Sequence, residues 1–356
     1  MAPVIRELER DSKLRSIVCA TGQHRDMLDS VLSFFAITPS YNLQVMRPSQ
    51  TLAELTGRVL DSVYGVLRRE CPDLVLVHGD TTSCMAGALA SYYARIPVGH
   101  VEAGLRTGNP YSPWPEEINR KLTAGVARFH FAPTTEAKAN LLSEGIPAES
   151  IAVTGNTVVD ALMLARERIH ADVKFKQLLA DRFSFLNEAK RLILVTGHRR
   201  ENFGNGFKEI CEALIAIADR GDTEVLYPVH LNPSVKTPVE GILSNRKGIH
   251  LIEPQDYPTF VYLIERSYLV LTDSGGVQEE APSFGKPVLV LRDTTERPEA
   301  IEAGTVRLVG ADRHRIVKET SELLDSTCAY SAMARAHNPY GDGHAAERIV
   351  TALHAL

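Results

Sequence analysis

The sequence predicts an α/β protein of two doubly wound, Rossmann-like domains. Three observations carry this. Short apolar runs alternate with helical stretches along all 356 residues, the pattern of parallel sheets covered on both faces. The alternation restarts near the middle: TGNTVVDALMLARERI (154–169) reads as a turn and a long helix, 170–190 is polar, and RLILVT (191–196) begins a new strand. Polar and charged residues gather where the apolar runs stop, and ligands bind at the C-terminal ends of such strands.

Taken in order, Val4, Ile5 and Leu8 sit at helical spacing with Arg6, Glu7, Glu9 and Arg10 between them, so the chain begins in a helix. SIVCA then places a strand at 15–20. Helices at 51–69 and 82–95 flank a strand at 74–77. Further strands fall at 98–102, 129–133 and 151–154. The second half repeats the alternation with strands at 192–196, 224–228, 249–252, 269–272 and 287–291. This gives a first domain over 1–155, a joint over 156–190, a second domain over 191–340 and a closing segment over 341–356. Two such domains would set the C-terminal ends of their sheets around a cleft.

Composition narrows the function. The chain is 44% hydrophobic and 23% charged, with a net charge of -5. That balance argues against a nucleic-acid partner, whose phosphates demand a basic surface. The five cysteines (Cys19, Cys71, Cys84, Cys211 and Cys328) form no C-x-x-C pair. A sparse, odd set fits a reducing compartment. No apolar run reaches the length of a membrane span and no signal-peptide core is present, so a cytoplasmic protein is expected.

Five segments after strands carry the chemistry: HGDTTS (78–83), VEAGLRTG (101–108) with YSPWPEEINR (111–120), TGHRRENFG (196–204), PVHLNP (228–233) and TDSGGVQEEAPSFGKPVLVLRDTTERPEA (272–300). In the last, Ser274, Gly275 and Gly276 stand where a strand gives way to a helix. Two glycines let backbone N–H groups approach a phosphate at the positive end of that helix. Glu279 or Glu280, one turn in, would accept hydrogen bonds from ribose hydroxyls. The plain alternative is a βα turn that uses glycine for its dihedral angles.

Asp80, Glu102, Glu116 and Glu117 form the acidic group. Carboxylates close together in a dry cleft have their pKa values pushed apart, so one can take a proton while another gives one. His198, flanked by Arg199 and Arg200, reads as an anion-binding or acid–base group, with a core histidine as the alternative. His78, His100 and His230 also sit at strand ends. No P-loop, dinucleotide fingerprint or nucleophile elbow is present. Histidines and carboxylates do not recur at metal-ligand spacing, so neither a metal nor another cofactor is expected.

With these residues in place, the chain resembles the non-hydrolysing UDP-N-acetylglucosamine 2-epimerases of the enterobacterial type. HGDTTS, GHVEAGLRTG, YSPWPEEINR, TGNTVVDAL, TGHRRENFG, YPVHLNP, LTDSGGVQEEAPSFGKPVL, RDTTERPEA, AGTVRLVG and HNPYGDG match in order over nearly the whole chain. The resemblance implies the GT-B-like two-domain fold, with a C-terminal helix at 343–356 that returns to the first domain. It implies interconversion of UDP-GlcNAc and UDP-ManNAc by elimination of UDP to a 2-acetamidoglucal and re-addition with the proton on the other face, supplying ManNAc for cell-surface polysaccharide. It assigns Asp80, Glu102 and Glu116 as acid–base carboxylates, without saying which serves which face, and His198 to the departing diphosphate. Ser274, Gly275 and Gly276 match the phosphate turn, Glu280 the ribose contact, Phe260 the uracil site and Arg297 a diphosphate contact. A homodimer is implied too.

Some bacterial members carry a second UDP-GlcNAc site that activates them. Gln23, Arg199 and His230 match its positions, while Asp26 and Ser49 replace the glutamine and arginine some members have. Family members also begin with a strand and a loop of the form FGTRPEAIK ahead of MAPV. The chain is therefore expected to lack that strand and the loop's arginine and lysine, which would leave two strand edges open. Two rivals follow: a truncated form that binds a UDP-sugar without turnover, and a GT-B glycosyltransferase with an acceptor site.

Overall fold

A computed structural model describes residues 1–22, 25–295 and 297–355. In chain order the elements are α1 (Ala2–Arg10), β1 (Cys19–Ala20), α2 (Arg25–Phe34), β2 (Tyr41–Asn42), α3 (Leu52–Glu70), β3 (Val75–His78), α4 (Thr82–Tyr93), β4 (Val98–Val101), α5 (Glu116–Val126), β5 (Phe129–Ala132), α6 (Thr135–Ser143), β6 (Ile151–Val153), α7 (Thr157–Ala171) and α8 (Val173–Arg182). There follow β7 (Arg191–Thr196), α9 (Asn205–Ala218), β8 (Thr223–Pro228), α10 (Pro233–Leu243), β9 (Ile249–Ile252), α11 (Tyr257–Arg266), β10 (Leu269–Thr272), α12 (Gly275–Ser283), β11 (Val288–Val290), α13 (Pro298–Glu302), β12 (Val306–Leu308), α14 (Arg313–Asp325), α15 (Thr327–Ala334) and α16 (Ala345–Leu353). The chain forms two compact units: Met1–Ala161 with Tyr340–Leu356, and Leu162–Pro339.

In the first unit β3, β4, β5 and β6 lie side by side in that order, all parallel, and β1 pairs with β2 in a sheet of their own. Helices begin where the sequence supplies caps. Thr51 and Glu54 form a complete capping box on α3, and Thr81 and Thr134 cap α4 and α6. Each such cap is worth about 1 kcal/mol. The helix at the start of the chain buries Val4 against Val101 and Phe131 of the sheet and Ile349 of α16. Asp160 of α7 accepts the backbone N–H of Ala346 at 2.7 Å, which caps α16 at its first turn.

The second unit holds one six-stranded parallel sheet in the order β12-β11-β10-β7-β8-β9. Its strands are apolar along their length because helices cover both faces. Ile193, Val195, Val225, Leu269 and Leu271 share one core with Phe207, Ile210 and Leu214 of α9. The first three strands run one way from β7 and the last three run the other way from β10. The strand order therefore reverses between β7 and β10, and the crevice beyond the carboxyl ends at such a switch point is where open α/β sheets bind ligands.

The structure corrects three sequence expectations. Only Cys19 and Ala20 of the strand expected at 15–20 find ladder partners, because the segment opposite contributes just Tyr41 and Asn42. The helix expected within 154–169 is α7, but the polar stretch after it holds a further helix, α8, which Asp172 caps by accepting from Phe175 N. The division between units falls at Ala161/Leu162 inside that stretch, and the second unit ends at Pro339.

Candidate active site

In the first unit the polar residues cluster at the ends of β3 and β4 and the start of α5. His78 and Val101 are paired in register, so the turn after β3 and the residue after β4 lie level. Gly79 turns the chain with φ of 71°, and the carboxylate of Glu102 lies beside it. Glu102 itself has φ of 64°, left-handed backbone that a non-glycine residue adopts at a cost of roughly 1–3 kcal/mol. Its side chain is held 3.2 Å from His78 Nε2 and accepts from Asn156 Nδ2 at 3.3 Å. Behind the turn, buried His100 reaches the carbonyl of Gly79 with Nε2 at 2.7 Å. Burial lowers the His100 pKa to about 4, so the ring is neutral and donates through Nε2.

Asp80 is fixed by Arg120, whose Nη2 and Nε donate to Oδ2 at 2.7 and 3.1 Å. Arg120 Nη1 also donates to Glu117 at 2.9 Å. The Glu117 side chain is 1% exposed and accepts the backbone N–H groups of Thr107 and Gly108, both at 3.1 Å. Glu117 thus anchors the 105–110 loop and is consumed by it, which removes it from the acidic group. Asn119 Nδ2 donates to the Asp80 carbonyl at 2.9 Å. Glu116, one residue before Glu117, opens α5 half-buried, and among the described residues nothing hydrogen-bonds its carboxylate. Asp80 and Glu102 are therefore neighbours, and Arg120 ties Asp80 to the helix that Glu116 begins.

In the second unit the cluster lies at the switch point. Thr196 of β7 and Thr272 of β10 are register partners with their hydroxyls 2.6 Å apart, so His198 and Ser274 lie level beyond them. Ser274 is the N-cap of α12 but makes no capping bond with its side chain, and no acidic residue occupies the first turn. The helix therefore offers its first N–H groups and its positive end to an anion. Gly276 is exposed with open space where a Cβ would stand. Gly275 is a glycine for another reason: a Cβ there would sit 2.8 Å from Nη1 of Arg297. Arg297 lies against that backbone and donates Nε to Glu279 at 2.8 Å.

Glu279 and Glu280 have different partners in the fold. Glu279 is committed to Arg297, whereas the buried carboxyl of Glu280 meets the Tyr257 hydroxyl. Burial first, then the neighbouring charge of Glu279, pushes the Glu280 pKa up to about 8. Phe260 is half-buried one turn after Tyr257 on α11, and residues three apart share a helix face. His198 stacks on His230 at 5.5 Å, and burial lowers its pKa despite the Asp273 carboxylate beside it. Arg199 follows on the same turn, where its backbone N–H donates to Asp273 at 2.9 Å. Gln23 lies outside the described residues, as does the side chain of Asp26.

Sequence reasoning missed Asp273, Arg120, Tyr257 and the Glu279–Arg297 pair. Asp273 carried a signal, a charged residue directly after a fully apolar strand. The others depend on which helix faces meet, and spacing along the chain does not show that. A separate cavity of about 260 Å³, lined by residues such as Lys190, Glu224 and Arg266, sits at the N-terminal ends of β7 and β8 and shares no residue with either cluster.

The profile described as UDP-N-acetylglucosamine 2-epimerase matches residues 6–354. A UDP-N-acetylglucosamine 2-epimerase of Escherichia coli is 55% identical over 354 residues, 99% of this chain and 94% of the relative. A probable UDP-N-acetylglucosamine 2-epimerase of Ralstonia nicotianae is 55% identical over 100% of this chain and 95% of its own length. Among solved structures, the Neisseria meningitidis UDP-GlcNAc 2-epimerase bound to UDP-GlcNAc is 50% identical with a TM-score of 0.93, over 100% of this chain and 96% of that one. A glycosyltransferase from Rickettsia africae, 14% identical with a TM-score of 0.60, shares the fold. The chain covers 94% to 96% of these relatives' own length.

Proposed function

The chain belongs to the UDP-N-acetylglucosamine 2-epimerase family, and from that premise we infer that it interconverts UDP-GlcNAc and UDP-ManNAc without hydrolysing either. The observation that carries this is the family match over residues 6–354, on a chain whose carboxylates and anion-binding turn fall at strand ends. Similarity to an enzyme solved in complex with UDP-GlcNAc and UDP, from Methanocaldococcus jannaschii at 36% identity, supports the same ligand class.

The chemistry explains why such residues are needed. The C2 proton has no adjacent carbonyl to hold charge, so direct removal is too slow. In this reaction a carboxylate takes that proton, the electron pair of the broken C2–H bond forms the C1=C2 bond of a 2-acetamidoglucal, and the C1–O bond breaks with its pair leaving on UDP. A second carboxylate then gives a proton to the opposite face of C2 while the UDP oxygen re-forms its bond to C1. Asp80, Glu102 and Glu116 carry the proton steps. Ser274, Gly275 and Gly276 hold phosphate oxygens by backbone N–H groups, with Arg297 and His198 countering the charge that grows on the diphosphate. Glu280 takes the ribose and Phe260 lies against uracil.

Arg199 and His230, with Gln23, are assigned to a second UDP-GlcNAc site that activates the enzyme. Adding UDP-GlcNAc to an assay started from UDP-ManNAc should then raise the rate; a hyperbolic curve that ignores the addition removes this site. We further assign a homodimer. Apolar side chains left exposed on the first unit, Ile118 and Leu122 on α5 with Tyr92 and Tyr93 on α4, suit a covered face. A cytoplasmic setting follows from five free cysteines and a nucleotide-sugar substrate. No helix among the described residues is long and apolar enough to cross a membrane.

The test is product analysis by anion-exchange chromatography from either UDP-sugar. The expected result is the same mixture of the two from both sides, with free UDP staying low. Stoichiometric release of UDP with free sugar would overturn the assignment, as would transfer of the sugar to an added acceptor.

A further inference from the structure

Asp273 follows β10 directly and its side chain is fully buried. Its Oδ2 accepts three hydrogen bonds, from the backbone N–H groups of His198 at 2.8 Å and Arg199 at 2.9 Å and from Asn202 Nδ2 at 3.3 Å. Its Oδ1 completes no hydrogen bond among the described residues and lies 3.4 Å from Nδ1 of His198. A buried carboxylate oxygen left without a donor is costly. The nitrogen beside it is therefore the one that carries a proton, and this fixes the tautomer. The opposite ring nitrogen, Nε2, then lies on the side of a ring that is 42% exposed. His230 braces that ring, stacked at 21° with its own Nδ1 accepting the Asn232 N–H at 3.1 Å. Among the described residues, the charged and titratable groups facing His198 are Asp273, Arg199 and His230, and of these only Asp273 favours the imidazolium.

We propose that Asp273 is the positioning residue for His198: it holds Nδ1–H and so presents Nε2 to the diphosphate that departs from C1 and returns. This rests on the assignment of His198 to the diphosphate. No proton passes to Asp273. When Nε2 is protonated it donates to a diphosphate oxygen, and the carboxylate behind the ring balances the charge.

The tautomer is read directly by 15N NMR of the histidine-labelled, unmodified chain. Nδ1 should stay protonated across the titration while Nε2 exchanges its proton; an Nδ1 that is bare at neutral pH overturns the proposal. In kinetics, Asp273→Asn turns an amide donor toward Nδ1. It should lower kcat by on the order of 100-fold with little change in KM, about as much as His198→Asn. The double variant should be no slower than either single one, because both remove one function. A residue that merely braced the 197–199 turn would add its own loss to that of His198→Asn, and that result overturns the proposal. Should Asp273→Asn fail to fold, the NMR result on the unmodified chain decides. Full activity of His198→Asn would instead refute the His198 assignment and take this role with it. A slow His198→Asn beside a fully active Asp273→Asn would refute Asp273 alone.

Discussion

Replacing Glu280 by glutamine should make the second unit more stable, and increasingly so as pH rises. The carboxyl of Glu280 is buried on α12 against the Tyr257 hydroxyl, next to the charge of Glu279, and its pKa is pushed from 4.5 up to about 8. Each tenfold change in an acid constant is about 1.4 kcal/mol, so holding this carboxylate ionised in the fold costs roughly 5 kcal/mol at full extent. The sign follows from proton counts. Between pH 4.5 and pH 8 the unfolded chain has lost a proton that the folded chain keeps, so folding stability falls as pH rises through that window. Below it both states are protonated and the penalty vanishes; above pH 8 it is complete. Glutamine keeps the shape and removes the titration. Urea unfolding followed by circular dichroism at pH 5, 6, 7, 8 and 9 measures this. The Glu280→Gln chain should match the unmodified one at pH 5 within about 1 kcal/mol and gain steadily to pH 8 or 9. A stability difference that is the same at pH 5 and pH 9 refutes the reasoning.

Other expectations follow from the same geometry. Asp80→Asn and Glu116→Gln should each cost 10²- to 10⁴-fold in kcat, about the worth of a general acid or base, with unchanged circular dichroism; full turnover in either sinks its assignment. Gly275→Ala puts a Cβ 2.8 Å from Arg297 Nη1. The guanidinium tip can yield, so the fold should survive while Arg297 leaves Glu279 and UDP binding weakens roughly tenfold, the worth of one charged hydrogen bond. Calorimetry with UDP checks this, and an unaltered Kd contradicts it. His100 and His130 are register partners on β4 and β5, and burial lowers both pKa values to about 4. Their contribution is complete above pH 6.5 and is lost as pH falls toward 4, by roughly 3 kcal/mol for each ring. His130→Gln should flatten the acid limb of the stability curve; an unchanged limb would rule out that origin.

Much of this architecture is legible in the sequence alone. Leu269–Leu271 and Leu192–Val195 are continuous apolar runs because helices cover both faces of their sheet, and such runs are hard to read otherwise. The helix at Ala2–Arg10 shows in the spacing of Val4, Ile5 and Leu8. The strand at Tyr41–Asn42 was not legible: two residues, one of them polar, carry no period. The site divided along the same line. Ser274, His198 and Asp80 stand out as candidates because each follows an apolar run. Arg120 does not, because its role depends on α5 laying it against Asp80, a contact 40 residues away in sequence. Gly275 was read as making room for a phosphate, while its position against Arg297 shows a second demand on that residue.

The central claim is that C2 exchanges its proton through elimination and re-addition on one chain without hydrolysis. The most direct test is proton NMR of the purified protein with UDP-GlcNAc in D2O. The account predicts loss of the C2 proton signal together with growth of a UDP-ManNAc anomeric signal, and deuterium at C2 in both sugars. Growth of UDP-ManNAc that keeps its C2 proton, or a folded protein that binds UDP-GlcNAc and leaves that proton untouched, would contradict it.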